Sequence, residues 1–115
     1  MKPPTTFLQR VNQLIYMDLP HPNMLQLLSV KLNLSKSQIY RKIKKQTQLS
    51  PTLYIRQERL AIAYNWLKET DATITEIAKS VGFKQVAYFS RCFSAYYGFP
   101  PSAVRKHNKC KNMQD

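Results

Sequence analysis

The sequence predicts an all-α fold of seven helices, arranged as two similar helical units joined by one long central helix. Three observations carry that prediction. Capping residues mark helix starts along the chain, glycine and β-branched runs are scarce, and the chain resembles itself at an interval of about fifty residues.

The elements follow in order from their punctuation. Thr6-x-x-Gln9, Asn23-x-x-Gln26, Ser35-x-x-Gln38 and Thr73-x-x-Glu76 each read as a capping box opening an apolar-periodic run. Ser50-Pro51 supplies an N-cap followed by proline at the first helical position, where its missing N–H is harmless. Pro100-Pro101 opens a last short helix in the same way. Leu19-Pro20-His21-Pro22 separates the first helix from the second, because two prolines exclude helical continuation. The predicted spans are 5–18, 23–32, 35–47, 51–69, 74–81, 85–97 and 101–107, with flexible tails at 1–4 and 108–115. The fourth helix is the longest, and Ile55, Leu60, Ala63 and Leu67 are expected to form one apolar stripe along it, with Trp66 beside them.

Charge narrows the partner. The chain has 115 residues, enough for one domain, and a normal hydrophobic fraction of 43%. Its 18 Lys and Arg against 6 acids give a formal charge of +12, a self-repulsion that a polyanion relieves. The acids are Asp18, Glu58, Glu69, Asp71, Glu76 and Asp115, so residues 19–57 and 77–114 carry none. Two separate basic surfaces facing one polyanion explain that arrangement better than a basic tail does. Cys92 and Cys110 have no metal-ligand spacing to a histidine and are expected to be reduced thiols, with no metal and no cofactor. No apolar run reaches membrane-span length and no signal peptide is visible at the start, so a soluble cytoplasmic protein is expected.

The repeat gives the motif. Leu25, Leu28, Ser29, Leu32, Asn33 and Leu34 match Ile74, Ile77, Ala78, Val81, Gly82 and Phe83 at an offset of 49. After one extra residue, Ile39, Arg41, Ile43, Leu49 and Pro51 match Phe89, Arg91, Phe93, Phe99 and Pro101 at an offset of 50. Each copy reads as helix, tight turn, helix. A small residue (Ser29 or Ala78) permits a close crossing, a turn residue follows four positions later (Asn33 or Gly82), and an apolar residue (Leu34 or Phe83) plugs the angle. That is a helix-turn-helix, present twice.

These residues resemble a known family. Gly82-Phe83-Lys84-Gln85-Val86-Ala87-Tyr88-Phe89-Ser90-Arg91-Cys92-Phe93, continuing to Gly98-Phe99-Pro100-Pro101-Ser102, is similar to the signature of AraC/XylS-type transcription regulators. Leu34-Ser35-Lys36-Ser37-Gln38-Ile39-Tyr40-Arg41-Lys42 resembles their first helix-turn-helix unit, and 50–67, with Arg59, Leu60 and Ala63, their connecting helix. The resemblance implies a homeodomain-like, AraC-type DNA-binding domain over 5–107, with units at 23–47 and 74–97 and a linker helix at 51–69. It implies a bacterial regulator whose partners are double-stranded DNA and RNA polymerase. The domain itself is expected to be monomeric, with any sensor or dimerisation domain outside this chain. Among family branches, the Ser37–Lys42 wording most resembles hybrid two-component sensors. The sequence departs from the family at Asn33, where glycine is common, and at Lys84-Gln85, which lacks the usual Ser, Asp or Asn cap.

Candidate contacts follow from helical spacing. In the first recognition helix Ile39 and Ile43 face inward, leaving Ser37, Tyr40, Arg41 and Lys44 outward for base readout. Arg41 is the first choice, through a bidentate bond to guanine, with a phosphate contact as its alternative. In the second, Phe89 and Phe93 face inward, and Val86, Ala87, Ser90 and Arg91 are the base-readout candidates, with Ser94 on the same face. Val86 and Ala87 suit a thymine methyl, while Arg91 reads guanine or anchors to phosphate. Lys36, Lys45, Arg56, Lys84, Tyr88 and Arg105 are candidate phosphate contacts; Tyr88 is equally a packing residue, and Tyr96 and Tyr97 are expected to pack. An enzyme is not expected, because His21 and His107 lack a triad or metal partner. An RNA-binding module lacks a stacking pattern of aromatics, and a membrane-surface module would carry one basic stripe rather than two repeated faces.

Overall fold

The computed structural model describes residues 6–106, which are helical wherever they are regular. The elements are α1 (Phe7–Met17), α2 (Met24–Leu32), α3 (Lys36–Thr47), α4 (Pro51–Glu69), α5 (Ile74–Ser80) and α6 (Val86–Tyr97). Residues 101–106 form a further helical segment, α7. The tails expected at 1–4 and 108–115 lie outside the described residues, as do His107, Cys110 and Asp115.

The caps explain why these segments begin where they do. Thr6 Oγ1 accepts the Gln9 N–H at 3.2 Å while Gln9 Oε1 accepts the Thr6 N–H at 2.9 Å. Ser35 and Gln38 exchange the same pair at 3.1 and 2.8 Å, and Thr73 and Glu76 at 3.0 and 3.3 Å. Each such cap stabilises a helix start by about 1 kcal/mol. The box expected at Asn23 is only half made. Asn23 Oδ1 caps the Gln26 N–H at 3.2 Å, but the Asn23 N–H donates to His21 Nδ1 at 3.0 Å and leaves Gln26 no donor to satisfy.

The chain forms two compact units whose boundary falls between Glu58 and Arg59, inside α4. The first unit buries Val11, Ile15, Leu28, Ile39 and Ile43 completely, with Leu19, Met24, Leu32 and Ile55 nearly so. The second buries Leu60, Ile62, Ala63, Leu67, Ile77, Ala78, Val81, Phe83, Phe89, Phe93 and Val104. The α4 stripe needs correction. Ile55, Leu60, Ala63 and Leu67 are all buried, but so is Ile62. At about 100° per residue, Ile55 and Ile62 share one line and Leu60, Ala63 and Leu67 cluster about another, roughly 120° away. A helix buried on two sides carries two stripes, not one.

Candidate nucleic-acid interface

The repeat read from the sequence is a repeat of backbone hydrogen bonds. In the first unit the Leu34 N–H donates to the Ser29 carbonyl at 3.1 Å and the Asn33 N–H to Val30 at 3.4 Å. In the second, Phe83 donates to Ala78 at 2.9 Å and Gly82 to Lys79 at 3.1 Å. These are the paired bonds of a Schellman turn, and they need a left-handed residue at its centre. Asn33 supplies it at φ 55° and Gly82 at φ 106°. The Ser29 hydroxyl adds a bond to the Leu34 carbonyl at 2.6 Å, which ties the first turn to its helix. The far ends match too. Gln48 (φ 65°) donates to Lys44 at 2.9 Å, and Gly98 (φ 84°) to Ser94 at 2.8 Å, again fifty residues apart.

Each turn leads into a helix with one buried and one open face. On α3, Ile39 and Ile43 are fully buried, while Lys36, Ser37, Tyr40, Arg41, Lys44 and Lys45 are exposed. The Lys44 ammonium donates to the Gln48 carbonyl at 3.2 Å, at the negative end of its own helix. On α6, Phe89 and Phe93 are fully buried, Ala87 and Arg91 are exposed, and Val86, Ser90 and Ser94 are half-buried. As the missing cap residue foretells, Gln85 gives α6 no side-chain cap. Tyr88 is 43% exposed and also packs: its ring lies 6.0 Å from Phe83, and the Arg91 guanidinium sits 5.8 Å over it. Tyr97 packs against Phe93 at 4.7 Å and Tyr64 at 4.9 Å, and the exposed Tyr96 meets Tyr97 edge-on.

The other basic candidates take different positions. Lys84 is exposed just ahead of α6, and Arg56 is half-buried on α4. Arg105 points back at protein: its Nε donates to the Leu67 carbonyl at 3.2 Å and its Nη2 to Thr70 at 2.8 Å, capping the C-terminal end of α4. One residue outside the sequence-derived set stands out. Lys42 borders a shallow open depression of about 250 Å³ together with Gln38, Arg41 and Lys45. The signal for it is the spacing 38, 41, 42, 45, a strip along a helix face.

A polar contact links two helices of the first unit. The Tyr54 hydroxyl donates to Asn12 Oδ1 at 2.6 Å, linking α4 to α1. Burial pushes the Glu58 carboxyl above its usual range, and the hydrogen bond from Tyr54 pulls it partly back. Burial also raises the Tyr54 phenol, with the Glu58 charge adding to the rise. Among the described residues no group of three or more His, Cys, Asp or Glu side chains is placed to hold a metal ion, and no helix is long and apolar enough to cross a membrane.

Known proteins share this architecture. Residues 28–107 match the family described as a helix-turn-helix domain. The transcriptional regulator GbdR of Pseudomonas aeruginosa is 35% identical over 99 residues, 86% of this chain but only 27% of GbdR. The chain therefore spans about a quarter of that relative's length. The C-terminal domain of the two-component response regulator yesN from Fusobacterium nucleatum superposes with a TM-score of 0.73 at 30% identity, covering 85% of this chain and 96% of that one. A transcriptional regulator described as AraC-type DNA-binding domain-containing, from Chromobacterium violaceum, has the same fold at a TM-score of 0.81 and 22% identity, over 88% of this chain and 90% of its own. With the doubled turn, the two open helix faces and a family match across most of its length, the chain belongs to the helix-turn-helix family of AraC/XylS-type transcription regulators.

Proposed function

We propose that this chain is the sequence-specific, double-stranded-DNA-binding module of a transcription regulator, with α3 and α6 as its recognition helices. The observation that carries the reading is the repeated turn, each copy presenting a helix with a buried apolar pair behind and an open face on an acid-free stretch. An α-helix is about as wide as the B-DNA major groove, so each helix takes a groove of its own on successive turns of the duplex, ~34–36 Å apart. One chain supplies both readers, so it binds as a monomer to an asymmetric site. Ser37, Tyr40, Arg41 and Lys44 read bases from α3, and Val86, Ala87, Ser90 and Arg91 from α6. Lys36, Lys45, Arg56 and Lys84 meet phosphates, and Tyr88, exposed on α6, is assigned the same role. Arg105 is left out of that set, because its guanidinium is occupied by α4. RNA polymerase is the protein partner we assign, and no residue is given a catalytic role.

Selection from a random duplex library tests this. The expected product is a bipartite motif with two unlike half-sites about one helical turn apart. A single compact motif, or no enrichment, refutes the two-groove reading. On the selected site, Arg41→Ala is expected to lower affinity tenfold or more and to relax one position, since a bidentate guanine contact discriminates by ~1–3 kcal/mol.

A further inference from the structure

The depression beside α3 is basic on three sides. Arg41, Lys42 and Lys45 border it with Gln38, and no acid occurs between residues 19 and 57 to neutralise them. Two of its walls are held in place. The Lys42 ammonium lies 5.4 Å over the Phe7 ring at the start of α1, and Gln38 Oε1 is fixed by the Ser35 N–H at 2.8 Å. The strip runs off the outward line of the helix. Arg41 stands opposite the buried pair Ile39 and Ile43, Lys42 lies about 100° round the helix on the flank toward Phe7, and Lys45 falls between them.

A helix seated in a major groove turns its outward line to base edges and its flanks to the phosphate walls. Lysine suits the second task, being a compact point charge rather than a planar fork. We propose that this flank is a phosphate-binding cleft for the DNA backbone, in which Lys42 and Lys45 bracket one phosphate and Phe7 holds Lys42 in position for it. The proposal rests on the DNA-binding reading above and adds a residue pair, Lys42 and Phe7, from two different helices. Phe7 is a positioning residue: it acts by keeping the ammonium at the cleft rather than by touching DNA.

The test is fluorescence anisotropy with a labelled mixed-sequence duplex, titrated between about 50 and 200 mM salt. Each phosphate contact contributes a slope of about 0.9 in log affinity against log salt, so Lys42→Gln should lose about 3.5-fold less affinity than the wild type across that range. Lys31→Gln, which removes an exposed charge at the end of α2, should leave the slope near the wild-type value. Phe7→Leu keeps an apolar side chain without the ring face, and should weaken binding at the wild-type slope. Thermal unfolding of Lys42→Gln should fall only a few degrees below the wild type, since the side chain is exposed and an exposed contact with a ring contributes about 0.5–1 kcal/mol. A wild-type slope in Lys42→Gln, or equal flattening in Lys31→Gln, overturns the cleft. Unchanged affinity in Phe7→Leu overturns the positioning role. A wild type that does not bind the duplex at any salt overturns the DNA-binding reading, and the cleft falls with it.

Discussion

Arg105 reaches from α7 to the end of α4, and its replacement by alanine separates two roles for one cation. The helix leaves its last carbonyls without partners, and Arg105 satisfies Leu67 at 3.2 Å and Thr70 at 2.8 Å. A hydrogen bond to a charged group contributes about 1.5–3 kcal/mol. The Leu67 bond is part-buried and counts nearly in full; the Thr70 bond is exposed and water replaces much of it. A positive charge at a helix C-terminus adds about 0.3–1 kcal/mol. Arg105→Ala should therefore destabilise the second unit by about 2 kcal/mol, which lowers Tm by about 8–16 °C for a domain of this size. Arg105→Lys, with one ammonium in place of a fork, should recover about half. The assay is thermal and urea unfolding by circular dichroism, paired with duplex binding well below the variant's Tm. DNA affinity should be unchanged there. Wild-type melting combined with weakened binding would refute the argument and return Arg105 to the phosphate contacts.

Two further substitutions test the scaffold. Gly98 and Gln48 hold equivalent left-handed positions, and no atom lies within 4 Å of a Cβ built on Gly98, so Gly98→Gln meets backbone strain alone. It should cost about 1 kcal/mol and Gln48→Gly should gain about half of that or more, as read from urea midpoints; destabilisation by both would contradict the strain account. Burial holds the Glu58 carboxyl above its ordinary value near 4.5. A carboxyl that keeps its proton more tightly when folded gives stability that is complete below its unfolded pKa and is lost as pH rises through its folded pKa. Glu58→Gln should therefore gain on the wild type as pH rises from about 4.5 toward neutral, and a difference independent of pH would remove burial as the cause.

What could be read from the sequence was local. Capping boxes span four residues, the turns span six, and the inward pairs Ile39/Ile43 and Phe89/Phe93 are spaced by one helical turn, so neighbouring residues carry the whole signal. The readings that needed correction or addition depend on distant partners. Arg105 looked like one basic residue among many because its acceptors are 38 and 35 positions away. Lys42 lies to one side of its helix's outward line, and the ring that holds it is on α1, beyond the reach of local spacing. The half-made cap at Asn23 turns on a histidine outside the motif, and Ile62 falls outside a single apolar stripe because α4 carries two.

The repeat has equal frames and unequal faces. The turn bonds, the left-handed residues and the buried pairs recur at 49 or 50 residues with nearly the same lengths, so the two units are alike mechanically. Their open faces are not alike. From Lys36 to Lys45 the first offers four lysines, an arginine, a tyrosine and hydroxyl and amide groups, and its N-terminus is fixed by a full capping box. The second begins with Val86 and Ala87, has no side-chain cap, and turns part of Arg91 onto Tyr88. A helix whose start is held rigidly can aim hydrogen bonds, which depend on direction; an apolar face reading thymine methyls depends mainly on contact area. Selection on single half-sites should therefore find sharper base preference for the α3 half than for the α6 half, with the α6 half contributing affinity and register. Equal information content in both halves would mean that Arg91 leaves Tyr88 and reads guanine as Arg41 does, and Tyr88→Ala would then leave the α6 preference intact.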